Sequence, residues 1–207
     1  MSAEKKATTF VQDALKLMVI TLVAGFLLGL VYYITYEPIQ QALRDATNRA
    51  YKQVYADAAE FSDNPESDAL IAAAADQIAA QGFGNVVIDK VVDAKDASGN
   101  VIGHIINSTS KEGFGGAVSI SAGIQEDGTL NGIAFLSISE SAGLGMNARD
   151  TDWYKQFAGR KEARYSVTKT GSTGDSEIDA ISGATITSRA VTNAVNAAVF
   201  FAGNCMN

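Results

Sequence analysis

Between Leu17 and Tyr36 the chain reads LMVITLVAGFLLGLVYYITY, twenty residues without a charge. No other stretch limits the possible folds as much. A helix rising 1.5 Å per residue needs about twenty residues to cross a hydrocarbon core of about 30 Å. Composition agrees: 47% of the residues are hydrophobic and the mean hydropathy is +0.06, high for a chain that lives wholly in water. Tyr32, Tyr33 and Tyr36 crowd one end, as aromatics do at a membrane interface. The run exceeds the roughly 7–15 apolar residues of a cleaved signal, and Tyr36-Glu37-Pro38 follows it instead of small residues. It therefore reads as a retained transmembrane helix over 17–36. Lys5, Lys6 and Lys16 lie in the tail 1–16, while Glu37 to Leu43 holds no lysine or arginine. This places the N-terminus in the cytoplasm, the lipid bilayer around the anchor, and residues 37–207 on the extracytoplasmic side. Gly25 and Gly29 make a Gly-x-x-x-Gly pair of the kind found where helices pack. With no charge inside the anchor, that helix offers no ion site of its own.

The portion after the anchor carries the whole acidic excess, 13 Lys/Arg against 21 Asp/Glu, and the chain's net charge is -7. That excludes nucleic acid as a partner. One cysteine, Cys205, and one histidine, His104, exclude an internal disulfide, a Cys-ligated cluster and a two-histidine metal site. Cys205 reads as a tail residue and His104, beside Gly103, as a solvent-facing strand residue. Pro38 ends the anchor helix or starts the next, and helical spacing of Ile39, Leu43, Ala46, Ala50, Val54 and Ala58 predicts a helix over 39–61. A second helix is predicted over 67–80. Together these form a helical connecting segment, 37–84. Two β-hairpins follow, 86–94 with 101–109 and 117–124 with 130–140, each joined by a polar turn. A short helix is expected around Trp153 and Phe157, and a short strand over 165–168. The expected class is α+β: one N-terminal transmembrane helix, then a domain over 85–207 with an antiparallel sheet and flanking helices.

The chemistry concentrates at Asp179-Ala180-Ile181-Ser182-Gly183-Ala184-Thr185-Ile186-Thr187-Ser188-Arg189, just before the apolar run 190–202 with Val191, Val195 and Val199 on one face. Small and hydroxyl residues stand where a loop becomes a helix N-terminus. Such a place offers unpaired amides and the positive end of the helix dipole, which suit a phosphate. The same residues also make an ordinary cap and turn, so the pattern alone leaves both readings open. The spelling narrows them. It resembles the flavinylation motif of the FMN-binding domain family, an Asp, two residues, then Ser/Thr-Gly-Ala-Thr.

The resemblance implies FMN bound covalently through its phosphate to Thr185. Asp179 would be the acid read by a separate flavin transferase, and Ser182, Gly183, Ala184, Ile186 and Thr187 would surround the cofactor. A threonine hydroxyl is a weak nucleophile, and no base stands beside Thr185 in the sequence, which agrees with an external enzyme. Phe114, Gly115 and Gly116, within Lys111–Gly116, are similar to a glycine-aromatic landmark of the family. Glu140, Gly143, Leu144 and Gly145 are similar to the loop that lines the flavin ring there, with Ser141-Ala142 in place of the family's Thr-Pro. Trp153 occupies its aromatic position. No residue of the chain is assigned as catalytic or metal-binding.

One anchor, one such domain and this length look like the G subunits of Rnf complexes, ion-translocating ferredoxin:NAD+ oxidoreductases. The C subunits of Na+-translocating NADH:quinone oxidoreductases are the alternative. Either implies an electron relay partnered by other subunits, with Na+ or H+ moved by the assembly. A stand-alone tethered flavoprotein and a non-redox ligand-binding ectodomain are the remaining readings. No Gly-x-Gly-x-x-Gly opens a helix after a strand, so no dinucleotide site is expected.

Overall fold

A computed structural model describes residues 2–206, with side-chain surroundings from Gln12 onward; Lys5 and Lys6, on which the orientation argument leans, have side chains outside the described residues. The chain divides into two compact units, residues 1–46 and 47–207. Helix α1, Ser2–Val54, runs through Pro38 without ending there, contrary to the sequence expectation. An interior proline removes one backbone hydrogen bond and crowds the carbonyl four residues earlier, costing about 3 kcal/mol. The loss is local, and Gln40, Gln41, Ala42 and Leu43 are good helix formers that resume the spiral. Gln12–Val54 is long and apolar enough to cross a membrane. Every large apolar side chain from Leu15 to Leu43 is exposed, a surface that water alone does not tolerate.

The second unit is α+β. Strands β1 (Glu60–Asp63), β2 (Val86–Lys95), β3 (Val101–Ser110), β4 (Val118–Gln125) and β5 (Leu130–Ser137) form an antiparallel sheet in that order. Both expected hairpins are present. The helix expected over 39–61 stops at Val54, and Glu60–Asp63 pairs with Lys95–Val92 as an edge strand. Lys52 helps turn the chain by donating to the Ala58 carbonyl. Phe61 then packs on Tyr51, ring centroids 5.6 Å apart, a contact that helical spacing does not reveal. Helix α2 (Ser67–Ala80) follows β1. Short helix α3 (Asn147–Asp150), a 3-10 helix (Asp152–Phe157), the parallel pair β6 (Ser166–Thr168) and β7 (Glu177–Asp179), and helix α4 (Thr185–Cys205) complete the unit.

Alternation along the strands builds two cores. Val91, Ile106 and Ile120 face α2 and α4, while Val92, Ile105 and Ala134 face Ala50, Tyr51, Val54, Tyr55 and Ala58. Helix α4 meets the sheet through Ala190, Val191, Ala194, Val195, Ala197 and Ala198, all buried. Ser108 Oγ donates to the Ala194 carbonyl at 2.9 Å, tying helix to strand. Cys205, expected as a loose tail residue, closes the last turn of α4 and is half-buried. His104, expected to face solvent, is half-buried with Nδ1 2.9 Å from Asp93 Oδ1. That carboxylate also accepts from Asn64 Nδ2 at 2.9 Å. The pairing partner lies on the neighbouring strand, so the local pattern could not show it.

On the second face Asn107 Nδ2 donates to the Tyr51 hydroxyl and Ser121 Oγ donates to Asn107 Oδ1, both at 2.8 Å. The Tyr55 hydroxyl is buried without a partner, and burial pushes its pKa up to about 12. Tyr51→Phe is expected to cost about 1–2 kcal/mol by stranding Asn107, whereas Tyr55→Phe should be neutral or stabilising; urea unfolding of the full chain in detergent measures both. The Tyr55 phenol keeps its proton longer folded than unfolded. Its contribution is therefore present below pH 10 and lost as pH rises from 10 towards 12, a decline that Tyr55→Phe should reduce.

Candidate functional site

The three glycine- and hydroxyl-bearing segments meet. An open cleft of about 560 Å³ is lined by Phe114 from the β3–β4 loop, Glu140, Ser141, Leu144 and Gly145 from the segment after β5, and Ala180 to Thr187 from the turn into α4. Lys169, from the loop after β6, completes the wall. The volume lies within the range of small-molecule sites, about 300–1,000 Å³.

The turn into α4 is built by Ser188. This buried hydroxyl accepts from the Ile181 amide at 2.9 Å and donates to the Ala184 carbonyl at 3.0 Å. The chain between them closes with Ala184 N to Ile181 O at 3.0 Å, and Gly183 takes φ 76°, where a side chain is disfavoured. Ser188 N to Ala184 O, 3.0 Å, is the first helical bond, and no side chain caps the helix. The amides of Thr185, Ile186 and Thr187 therefore precede the hydrogen-bond ladder and remain free for a ligand. Thr187 is 1% exposed, and its Oγ1 is buried without a protein partner. Thr185 is half-buried on the first turn.

Glu140 joins the other two segments. Its Oε1 accepts from Phe114 N at 2.8 Å and its Oε2 from Gly115 N at 3.1 Å. Gly145 lets this segment close on α4: a Cβ there would stand 2.7 Å from Thr187 Oγ1 and 2.8 Å from Glu140 Cβ. The carbonyl of Ser141, which replaces the threonine of the family's loop, accepts from the amides of Leu144 and Met146 at 3.1 and 3.2 Å, so the loop closes into a turn without the proline. Phe114, Leu144 and Ile186 are 70%, 45% and 53% exposed around the cleft, an apolar rim suited to an aromatic ring.

Of the residues singled out from sequence, Phe114, Glu140, Leu144, Gly145, Ser182, Gly183, Ala184, Thr185, Ile186 and Thr187 line the cleft. Gly115, Gly116, Gly143, Trp153 and Asp179 are not among its lining residues. Gly115 and Gly143 belong to the supporting loops: Gly115 donates to Glu140, and the Gly143 carbonyl accepts from Asn147 Nδ2 at 3.0 Å. Gly116 turns the chain into β4 with φ 140°. Trp153 packs edge-on against Phe157, centroids 5.7 Å apart, and its Nε1 donates to the Asp179 carbonyl. The Asp179 amide donates to Gln156 Oε1 at 2.8 Å, and its carboxylate accepts from Ser172 N and Oγ. Sequence reasoning missed Lys169. It sits on a polar loop sixteen residues before Thr185, and only the β6–β7 pairing brings that loop to the cleft.

Residues 113–199 match the FMN-binding domain family, and these residues form an FMN-binding domain. The G subunit of the Na(+)-translocating ferredoxin:NAD(+) oxidoreductase complex of Acetobacterium woodii is 33% identical over 186 residues, 88% of this chain and 86% of that protein. The G subunit of the ion-translocating oxidoreductase complex of Methanosarcina acetivorans is 31% identical over 200 residues, 96% of each. A crystal structure of Shewanella oneidensis NqrC shares 21% identity, covering 56% of this chain and 60% of that one, with a TM-score of 0.47. The chain belongs to the family of G subunits of ion-translocating oxidoreductase complexes.

Glu140→Ala removes the acceptor of two amides and is expected to destabilise the domain by about 1–3 kcal/mol, whereas Glu140→Gln keeps one carbonyl oxygen and should lose less. Hydrogen exchange at Phe114 and Gly115 should accelerate in the alanine variant, while exchange at Ile106 in β3 stays slow.

Proposed function

We propose that this chain is the flavin-carrying electron-relay subunit of a membrane-bound, ion-translocating ferredoxin:NAD+ oxidoreductase of the Rnf type, with FMN esterified to Thr185. One observation carries the reading: within an FMN-binding domain, Thr185 stands on a helix N-terminus whose first three amides are uncapped, beside a buried Thr187 hydroxyl that has no protein partner. Leaving such a hydroxyl unsatisfied costs about 1–3 kcal/mol, and a phosphate oxygen would satisfy it. The donor set is chemically suited to a phosphodiester: backbone N–H groups, one hydroxyl and the Lys169 ammonium, at the positive end of a dipole.

FMN, when bound, supplies electron-transfer chemistry that no side chain provides. The residues of this chain hold and shield it. The amides of Thr185, Ile186 and Thr187 and the Thr187 hydroxyl would hold its phosphate, Lys169 would balance the charge, and Phe114, Leu144 and Ile186 would supply apolar surface for the ring. Glu140 keeps the Phe114 loop closed. Attachment requires a transferase and a flavin donor with an activated phosphate: the Thr185 Oγ–P bond forms, the hydroxyl proton is lost, and the donor's leaving group departs.

Residues 17–36 span the bilayer in this reading. The tail 1–16 is cytoplasmic, 37–84 connects, and 85–207 carries FMN on the extracytoplasmic side, where the neighbouring subunits of the complex exchange electrons with it. The Acetobacterium and Methanosarcina relatives are each named as a subunit of such a complex, which supports the assignment of partners.

The test is mass spectrometry of the tryptic peptide Thr170–Arg189 from protein purified out of its native membrane. The expected adduct is FMN less one water, placed on Thr185 by fragmentation and absent in Thr185→Val. An unmodified peptide from cells containing the transferase would overturn the covalent reading. Thr187→Val should raise the melting temperature of the unmodified protein, since a buried unpaired hydroxyl is lost, and should narrow the stabilisation that attached flavin gives.

A further inference from the structure

The motif acid Asp179 is not among the residues that line the cleft, yet it is built into the loop that delivers Lys169 there. The loop between β6 and β7 runs Lys169-Thr170-Gly171-Ser172-Thr173-Gly174-Asp175-Ser176. Two carboxylates on β7 hold it. Asp179 Oδ1 accepts from Ser172 N at 2.5 Å and Oδ2 from Ser172 Oγ at 3.3 Å. Glu177 Oε2 accepts from Thr173 N at 2.7 Å and Thr173 Oγ1 at 2.9 Å. These bonds hold the Glu177 carboxyl below its ordinary range, the Thr173 amide being the largest cause. The base of the loop is closed by Ala180 N to Thr168 O at 2.7 Å. Asp179 itself is fixed from behind by Gln156 and Trp153. The one basic side chain on the loop, Lys169, lines the cleft with Thr185 and Thr187. The other charged group of the cleft, Glu140, is turned onto the Phe114 and Gly115 amides.

We infer that Asp179 is a positioning residue: by pinning Ser172 it holds the β6–β7 loop so that the Lys169 ammonium faces the phosphate site at the α4 N-terminus. This rests on the proposed FMN ester and assigns Asp179 a task inside this chain, where the resemblance alone casts it as a label read by another enzyme. The Asp179 carboxylate accepts from a backbone amide on one oxygen and a hydroxyl on the other, so both of its oxygens are bonded within the domain. Lys169 supplies the positive charge that a bound phosphodiester needs, and an ammonium on a free loop would lose that advantage to conformational entropy.

The experiment uses the full-length protein in detergent with its flavin transferase. It reads the initial rate of covalent flavin incorporation, its dependence on salt, and the melting temperature of each unmodified variant. Asp179→Asn retains an acceptor for Ser172 N and a group able to reach Ser172 Oγ. It should stay within about threefold of the parent. Asp179→Ala and Lys169→Ala should each fall about ten- to a hundredfold, the worth of one charge-assisted hydrogen bond. The double alanine variant should be no slower than the worse single one. Lys169→Arg should restore most of the rate. The parent rate should fall with salt more steeply than that of either alanine variant. Lys169 is exposed, so its variants keep the test decisive even if Asp179→Ala melts early.

Asp179→Asn as slow as Asp179→Ala, with Lys169→Ala at the parent rate, would overturn the positioning role and make Asp179 a charge read by the transferase. Additive losses in the double variant would overturn it as well. A parent protein that takes up no covalent flavin would overturn the proposed function itself, and this assignment with it.

Discussion

The close seat of helix α4 on the sheet is the contact on which the remaining structure depends. Small residues make it possible. Ala190, Ala194, Ala197 and Ala198 let the helix backbone approach the strands, and Val191, Val195 and Phe201 fill the space on either side. Ser108 then reaches the Ala194 carbonyl directly. A helix packed this tightly has little freedom to slide, because interiors are filled to crystal-like density. Its N-terminus, and with it Thr185, is fixed relative to the loops that leave the sheet. Asn196 extends the restraint sideways: its Oδ1 accepts from Tyr165 N at 2.7 Å and its Nδ2 donates to Tyr165 O at 2.9 Å, anchoring the strand that leads to Lys169.

The cleft follows from that placement. Four segments from distant parts of the chain contribute to its wall, and each is held by hydrogen bonds. Glu140 locks the first to the second, Ser188 locks the turn into α4, and Asp179 locks the β6–β7 loop. Two of these locks are carboxylates that accept from backbone amides. They hold loop geometry through charge-assisted bonds while leaving the floor of the cleft to neutral donors. The lining therefore combines uncapped backbone amides with the Lys169 side chain, and the Glu140 and Asp179 carboxylates already accept hydrogen bonds.

The end of α1 plays the corresponding part on the opposite face. Ala50, Tyr51, Val54, Tyr55 and Ala58 cover Val92, Ile105 and Ala134, and the Tyr51–Asn107–Ser121 hydrogen bonds specify which residues meet. These residues belong to the second unit, so the globular domain begins well before the first strand of the hairpins. The segment before residue 85 thus supplies this unit with Tyr51, Val54 and Tyr55 on one face, strand β1 at the sheet edge and helix α2 on the other face.

The sequence alone determined the apolar anchor stretch, the two hairpins, helix α2, and the hydroxyl-rich turn before α4, because each is written in local periodicity and turn chemistry. The family membership was likewise legible in the spelling of residues 179–185. Where long-range packing competes with local pattern, the sequence was silent or misleading. It could not show that α1 continues past Pro38, that Glu60–Asp63 leaves the helix to pair with β2, or that His104 turns inward to Asp93. It marked Asp179 and Trp153 as site residues without revealing that they act on the backbone behind the cleft. It offered nothing for Lys169. Only the tertiary structure decided these points, since each depends on which distant backbone or carboxylate lies within hydrogen-bonding distance, and no periodicity in one dimension encodes that.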